Sequence, residues 1–171
     1  LLEQHTASSS AELDFTTWYS SAYDEYEIHL IDVVPASNNV APELQFSTDG
    51  GSTYDTSGIY YSVRDYRGIT VSDNGTTQYG GQGQIYLGGN DLGNTAANGG
   101  LSGVVHLFNP QSAVTYKRVI FDLAYGSYNG DIYHSTGAGV YKSATAVNAL
   151  RILFSSGNIA SGTIRVYGLA K

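Results

Sequence analysis

The chain has 171 residues, of which only 13% are charged, and eight Lys and Arg against fifteen Asp and Glu leave a net charge of −7. That balance argues against nucleic acid and anionic membranes as partners, since both require clustered cations. The absence of Cys removes disulfides, thiolate metal ligands and Cys nucleophiles, and no apolar run reaches the roughly 18 residues of a membrane-spanning helix.

The length fits a single domain, residues 1–171, with a sizeable core. The 21 Gly and 15 Tyr, with abundant Ser, Thr and Asn, are the composition of an all-β protein with many turns. Leu1 to Thr6, followed by Ala7-Ser8-Ser9-Ser10, reads as an edge strand leading out of an upstream stem. Position 1 is not Met, so the chain is expected to be the distal part of a longer polypeptide or to be processed from one. Leu13 and Phe15 alternate with Glu12 and Asp14 in a short strand, and Thr16 to Asp24 reads as a loop or one helical turn carrying Trp18 and Tyr19.

The strongest pattern runs from Tyr23 to Tyr54. Tyr26, Ile28 and Leu30 fall on one side of a strand and Glu25, Glu27 and His29 on the other, because successive side chains of a strand point to opposite faces. Past a turn around Pro35 and Pro42, Leu44 and Phe46 are expected in the core, with Glu43, Gln45 and Ser47 in water. Asp49-Gly50-Gly51-Ser52 then ends the strand. The pattern predicts a central antiparallel hairpin.

Ile59 to Val63 and Ile69 to Val71 read as strands separated by a charged, exposed Asp65-Tyr66-Arg67 excursion, the second ending at Asp73-Asn74-Gly75. Within the Gly-rich stretch 80–100 only Gln84 to Leu87 looks ordered. Gly103 to Phe108 is a strand. Tyr116 to Tyr125 is a stronger one, with Val119, Phe121, Leu123 and Tyr125 on one face and Arg118, Ile120 and Asp122 on the other. Asp131 to His134 and Gly139 to Lys142 have strand potential. Leu150, Ile152 and Phe154 alternate with Arg151 and Leu153, and Thr163 to Leu169 closes the chain with Ile164 and Val166 inward. Eight to ten strands without an amphipathic helix predict an antiparallel β-sandwich of jelly-roll type, with a closed barrel as the alternative.

Chemistry is sparse. His5, His29, His106 and His134 lie far apart in sequence, so surface or strand-filling roles are favoured over a metal site. Glycoside hydrolysis needs two acids about 5 to 9.5 Å apart. Asp122 beside Arg118, and Glu25 beside Glu27, read instead as exposed strand charges, the first as a cross-pleat ion pair. The oxygen-rich segments at Asp49, Asp73 and Asn90-Asp91 read as turns rather than calcium loops, no catalytic residue, metal or cofactor is assigned, and Asn74-Gly75-Thr76 has the form of a glycosylation acceptor.

The functional signal is compositional: aromatic rings beside Asp, Asn and Gln offer flat apolar faces for sugar rings and polar groups for hydroxyls. Trp18, Tyr19, Tyr54 and Tyr79 are aromatic candidates of this kind. The candidate ligand-binding set is Tyr60, Tyr61, Arg64, Asp65, Tyr66, Tyr128, Asn129, Asp131, Tyr133 and His134. Subunit packing is the competing role for each tyrosine.

The opening LLEQHTASSSAELDF, the segment YDEYEIHLIDVVPASN with LQFSTDGGSTY, and the closing ALRILFSSGNIASGTIRVYGLAK together resemble the β-rich distal domains of tail fibres and head spikes of phages, prophages and gene transfer agents. The resemblance covers about the first 55 and last 25 residues. It implies a virion-surface, extracellular appendage, commonly a homotrimer in contact with other virion proteins, that binds a host surface polysaccharide noncovalently and inserts in no membrane. A purely structural decoration or assembly protein is the alternative. A secreted carbohydrate-binding module or glycan depolymerase is a further one.

Overall fold

The computed structural model describes residues 1–69, 74–95, 97 and 100–170, and among these there is no helix. The chain forms a sandwich of two antiparallel sheets. The strands are β1 (Glu3–Ser10), β2 (Glu12–Phe15), β3 (Glu25–Pro35), β4 (Pro42–Ser47), β5 (Tyr60–Gly68), β6 (Asn74–Gln82), β7 (Ile85–Tyr86), β8 (Leu101–Phe108), β9 (Lys117–Gly126), β10 (Ile132–Tyr141), β11 (Ala149–Phe154) and β12 (Ile159–Leu169). These twelve described strands exceed the eight to ten expected. Eight form one sheet, in the order β1-β12-β3-β8-β9-β10-β5-β6, and four form the other, β2-β11-β4-β7. The layout is compatible with a jelly roll.

Period-two patterning builds the core. Ile28 and Leu44 are fully buried, Phe121 is 3% and Ile152 2% exposed, and they join one hydrophobic cluster with Phe15, Trp18 and Tyr26. β9 is the cleanest case, alternating buried and exposed from Lys117 to Tyr125. β1 pairs only with β12 and forms one edge of the large sheet, as its polar composition suggests.

Several expectations are corrected. The segment 23–54 is not a hairpin, because β3 lies in the large sheet and β4 in the small one. Alternation fails at the end of β3, where Val33, Val34 and Pro35 are all buried, the pairing register slips, and Asp32 adopts φ +48°. An irregularity of this kind bends a strand out of its sheet. Val40 and Ala41 then bury as the chain crosses to the opposite layer.

Glu43, Gln45 and Ser47 do not face water. They are 5%, 7% and 1% exposed, because β4 lies inside the small sheet and neighbouring segments cover its outer side. Gln45 Nε2 donates to the Gly83 carbonyl at 3.2 Å, and Gln84 Nε2 to Glu43 at 3.3 Å. The Asp65-Tyr66-Arg67 excursion is continuous strand within β5, paired with β10 and β6. The two weak segments at 131–134 and 139–142 are one strand, β10. The expected strand at 69–71 and the Asp73 position lie mostly outside the described residues.

Candidate glycan-binding face

The small sheet covers the inner side of the large one and leaves the outer side to solvent. On that side, residues opposite one another in the ladders line up in rows across the strands. One row runs from Thr76 through Asp65, Thr136 and Asp122 to Val104 and His29. The neighbouring row contains Gln78, Val63, Ala138, Ile120, His106 and Glu27. A third, shorter row holds Asn74, Arg67, His134, Ala124 and Ser102.

Two depressions lie along these rows. One of about 880 Å³ is bordered by His29, Val104, His106, Ile120, Asp122 and Thr136. The other, of about 490 Å³, is bordered by Asp65, Arg67, Asn74, Thr76, His134 and Thr136. A third depression, of about 690 Å³ and more apolar, lies beside Tyr61, Val63, Gln78, Ala138 and Val140. Val63 is 41% and Ile120 48% exposed, so the polar face carries apolar contact area.

The imidazoles of this face each stand beside a carboxylate. His134 Nε2 lies 2.8 Å from Asp122, His29 Nε2 2.7 Å from Glu27, and His106 Nδ1 3.0 Å from Glu25. Thr76 donates its hydroxyl to Asp65 at 2.5 Å. Asp122 therefore pairs with a histidine of the adjacent strand. The expected ion pair with Arg118 does not form, and Arg118 donates to the Tyr116 carbonyl at 3.3 Å.

Of the ten candidate binding residues, Tyr61, Asp65 and His134 lie on this outer face. Tyr61 is 39% exposed, with Lys142 Nζ 3.6 Å from its ring centroid. Tyr128, Asn129 and Asp131 form the turn between β9 and β10. There Ser127 donates its hydroxyl to Asn129 and accepts from the Asp131 amide at 3.1 Å, and Tyr128 is 55% exposed.

The other four face inward. Tyr60 is fully buried, stacks on Tyr141 at 4.8 Å and accepts the Phe46 amide at 2.9 Å, and burial pushes its phenol pKa upward. Tyr133 is 5% exposed and stacks on Tyr125 at 5.4 Å. Arg64 is 7% exposed, with Tyr66 beneath its guanidinium at 4.7 Å. These four are withdrawn from solvent, wholly or in part, because the period of a strand assigns alternate residues of one motif to opposite faces.

Trp18 is also a core residue. It is fully buried, its indole N–H donates to the Phe15 carbonyl at 3.1 Å, and its ring meets Tyr26 edge-on at 4.6 Å. Tyr54 lies under the Arg151 guanidinium at 4.0 Å, and Tyr79 packs on Tyr86 at 4.4 Å. The residues missed were Val63, Val104, Thr136, His29 and His106. An apolar residue on the polar side of an alternating strand, as at Ile120 between Arg118 and Asp122, was the signal available.

No protein-family model, curated protein or solved structure matches the chain. Among the described residues no group of three or more His, Asp or Glu is placed to hold a metal ion. The Asp49 carboxylate is occupied in closing its own turn: it accepts the Thr53 hydroxyl and amide at 2.6 and 2.9 Å and the Ser47 hydroxyl at 2.7 Å. Those bonds, the Thr53 hydroxyl foremost, hold its pKa down at about 2. Asp91 accepts the Tyr125 hydroxyl at 3.1 Å.

Proposed function

We propose that the protein is a surface appendage of a phage-like virion, a tail fibre or head spike, that holds host cell-surface glycan on the outer face of its large sheet without cleaving it. The observation that carries the glycan-binding part is the pair of adjoining depressions, where carboxylates, imidazoles and hydroxyls stand among exposed apolar side chains. Sugars present the same mixture, with hydroxyls around a ring whose faces are apolar. The attribution to a virion rests on the resemblance at the two ends of the sequence.

A glycan array probed with the purified protein tests the binding. Asp65→Ala together with His134→Ala should lose the signal while leaving the melting temperature within a few degrees. Retention of the signal by that variant would remove the outer face from consideration. Incubation with the bound polysaccharide should release no new reducing ends, and their appearance would favour a depolymerase.

A structural decoration or assembly protein is the second reading, and the edges at β1 and β6 favour it. Each pairs on one side only among the described strands, and a sister subunit could extend the sheet there. Sedimentation separates the two readings. An oligomer that binds no glycan supports assembly, and glycan binding by the sedimenting species supports the first reading.

A further inference from the structure

The depressions of about 880 and 490 Å³ on the outer face share Thr136. They adjoin there, and together they reach across β3, β8, β9, β10, β5 and β6. At a strand spacing of about 4.8 Å the crossing is about 24 Å long, several sugar rings end to end. At its centre Asp122, paired with His134, stands between the short side chains of Val104 and Thr136, with Gly103 and Gly137 beside them. Gly137 has a structural reason to lack a side chain, since a Cβ there would lie 2.3 Å from the Val63 carbonyl and 2.4 Å from the Phe121 ring. At the β3 end the row continues past His29 to Arg165, and the Tyr167 ring lies 4.9 Å from that of His29.

Charge narrows the occupant. The three imidazoles along the crossing each stand 2.7 to 3.0 Å from a carboxylate and Asp65 accepts the Thr76 hydroxyl, so an acidic ligand group would have to displace a carboxylate to reach an imidazole. Arg67 lies at the β6 end, one pleat from Asp65. The net charge of −7 disfavours a polyanion at long range. Paired carboxylates and imidazoles keep lone pairs and N–H groups that hydroxyls can use.

We infer that the two depressions act as one groove, which takes a stretch of an uncharged polysaccharide laid across the strands and spanning both through Thr136. This rests on the glycan-binding reading and adds to it the length, direction and charge class of the ligand.

The test is titration calorimetry with neutral glucan, mannan and galactan oligosaccharides of graded length, alongside sialylated and uronate oligosaccharides of matched length. For the neutral series that binds, affinity should rise at least about tenfold from the monosaccharide to the groove-filling length, about 1.4 kcal/mol, and then level off. Acidic chains should bind at least about tenfold more weakly. Thr136→Tyr, an outward-facing change, should abolish the gain with length, and Thr136→Ser should keep it.

Equal affinity for short and long neutral chains, preference for the acidic series, or a length gain that survives Thr136→Tyr would each overturn the inference while leaving glycan binding in place. Failure of every carbohydrate to bind would end both. If Thr136→Tyr instead dissociates an oligomer, the occupant is a second copy of the chain and the inference is equally overturned.

Discussion

Glu43→Gln is expected to stabilise the protein at neutral pH and to leave it unchanged in acid. The Glu43 carboxyl is 5% exposed, and burial raises its pKa from 4.5 to about 7, opposed by the hydrogen bond from Gln84. Between those two values the folded chain holds the proton and the unfolded chain has released it. Stability therefore falls as pH rises from about 4.5 to about 7 and is constant on either side of that window. Each tenfold change in proton affinity is about 1.4 kcal/mol, so the full shift sets a ceiling of about 3 kcal/mol. Residual solvent screening at the sheet surface brings the expected penalty to about 1–2 kcal/mol. Gln keeps the oxygen that accepts from Gln84 and has no proton to lose. Urea unfolding at closely spaced pH values, from about 4 to 8, should show the variant more stable by about 1–2 kcal/mol at the upper end and matched to the parent at the lower. Equal stability of the two proteins at the upper end, or a difference that grows toward acid, would refute the assignment of a neutral buried carboxyl.

Three further changes test the packing. Gly162 has φ +123°, and an added Cβ would lie 2.5 Å from Val33 Cα and 2.7 Å from the Asp32 carbonyl, so Gly162→Ala should cost about 3 kcal/mol or more. Gly50→Ala, at φ +75° with nothing within 4 Å, should cost only about 1 kcal/mol, and similar losses in denaturant midpoints would count against close approach at the bulge. Arg64→Met should be neutral or stabilising, because Nε and Nη1 of the buried guanidinium find no acceptor among the described residues, and a loss above about 2 kcal/mol would reveal a partner. Trp18, the one Trp, should be shielded from acrylamide in the folded protein, and quenching as strong as in the urea-unfolded chain would contradict its burial.

Much of the layering could be read from alternation. Strands such as β9 and β11 have one buried and one solvent-facing or half-covered side, so period two names the core residues without knowledge of their neighbours. The same logic fails where a strand is covered on both sides. β4 is buried at every position, and its Glu43 and Gln45 look solvent-facing only because the sequence does not show the 83–86 segment lying against them.

The candidate site shows the same division. Residues 60–66 were legible as a cluster of aromatic and charged side chains. Local composition cannot say that Tyr61 and Asp65 face outward while Tyr60 and Arg64 face the core, since that depends on the register with β10.

The sequence by itself determined an all-β chain, the alternation that fills its core, and an acidic, cysteine-free surface. Those properties are local or additive, so each residue contributes without reference to distant ones. Only the tertiary structure decided that β3 and β4 part into different sheets, and that Asp122 meets His134. It also lined up His29, Val104, Thr136 and Asp65 in one row across the outer face. Those facts rest on pairings between strands far apart in the chain, fixed jointly by register, bulges and the burial available in each layer.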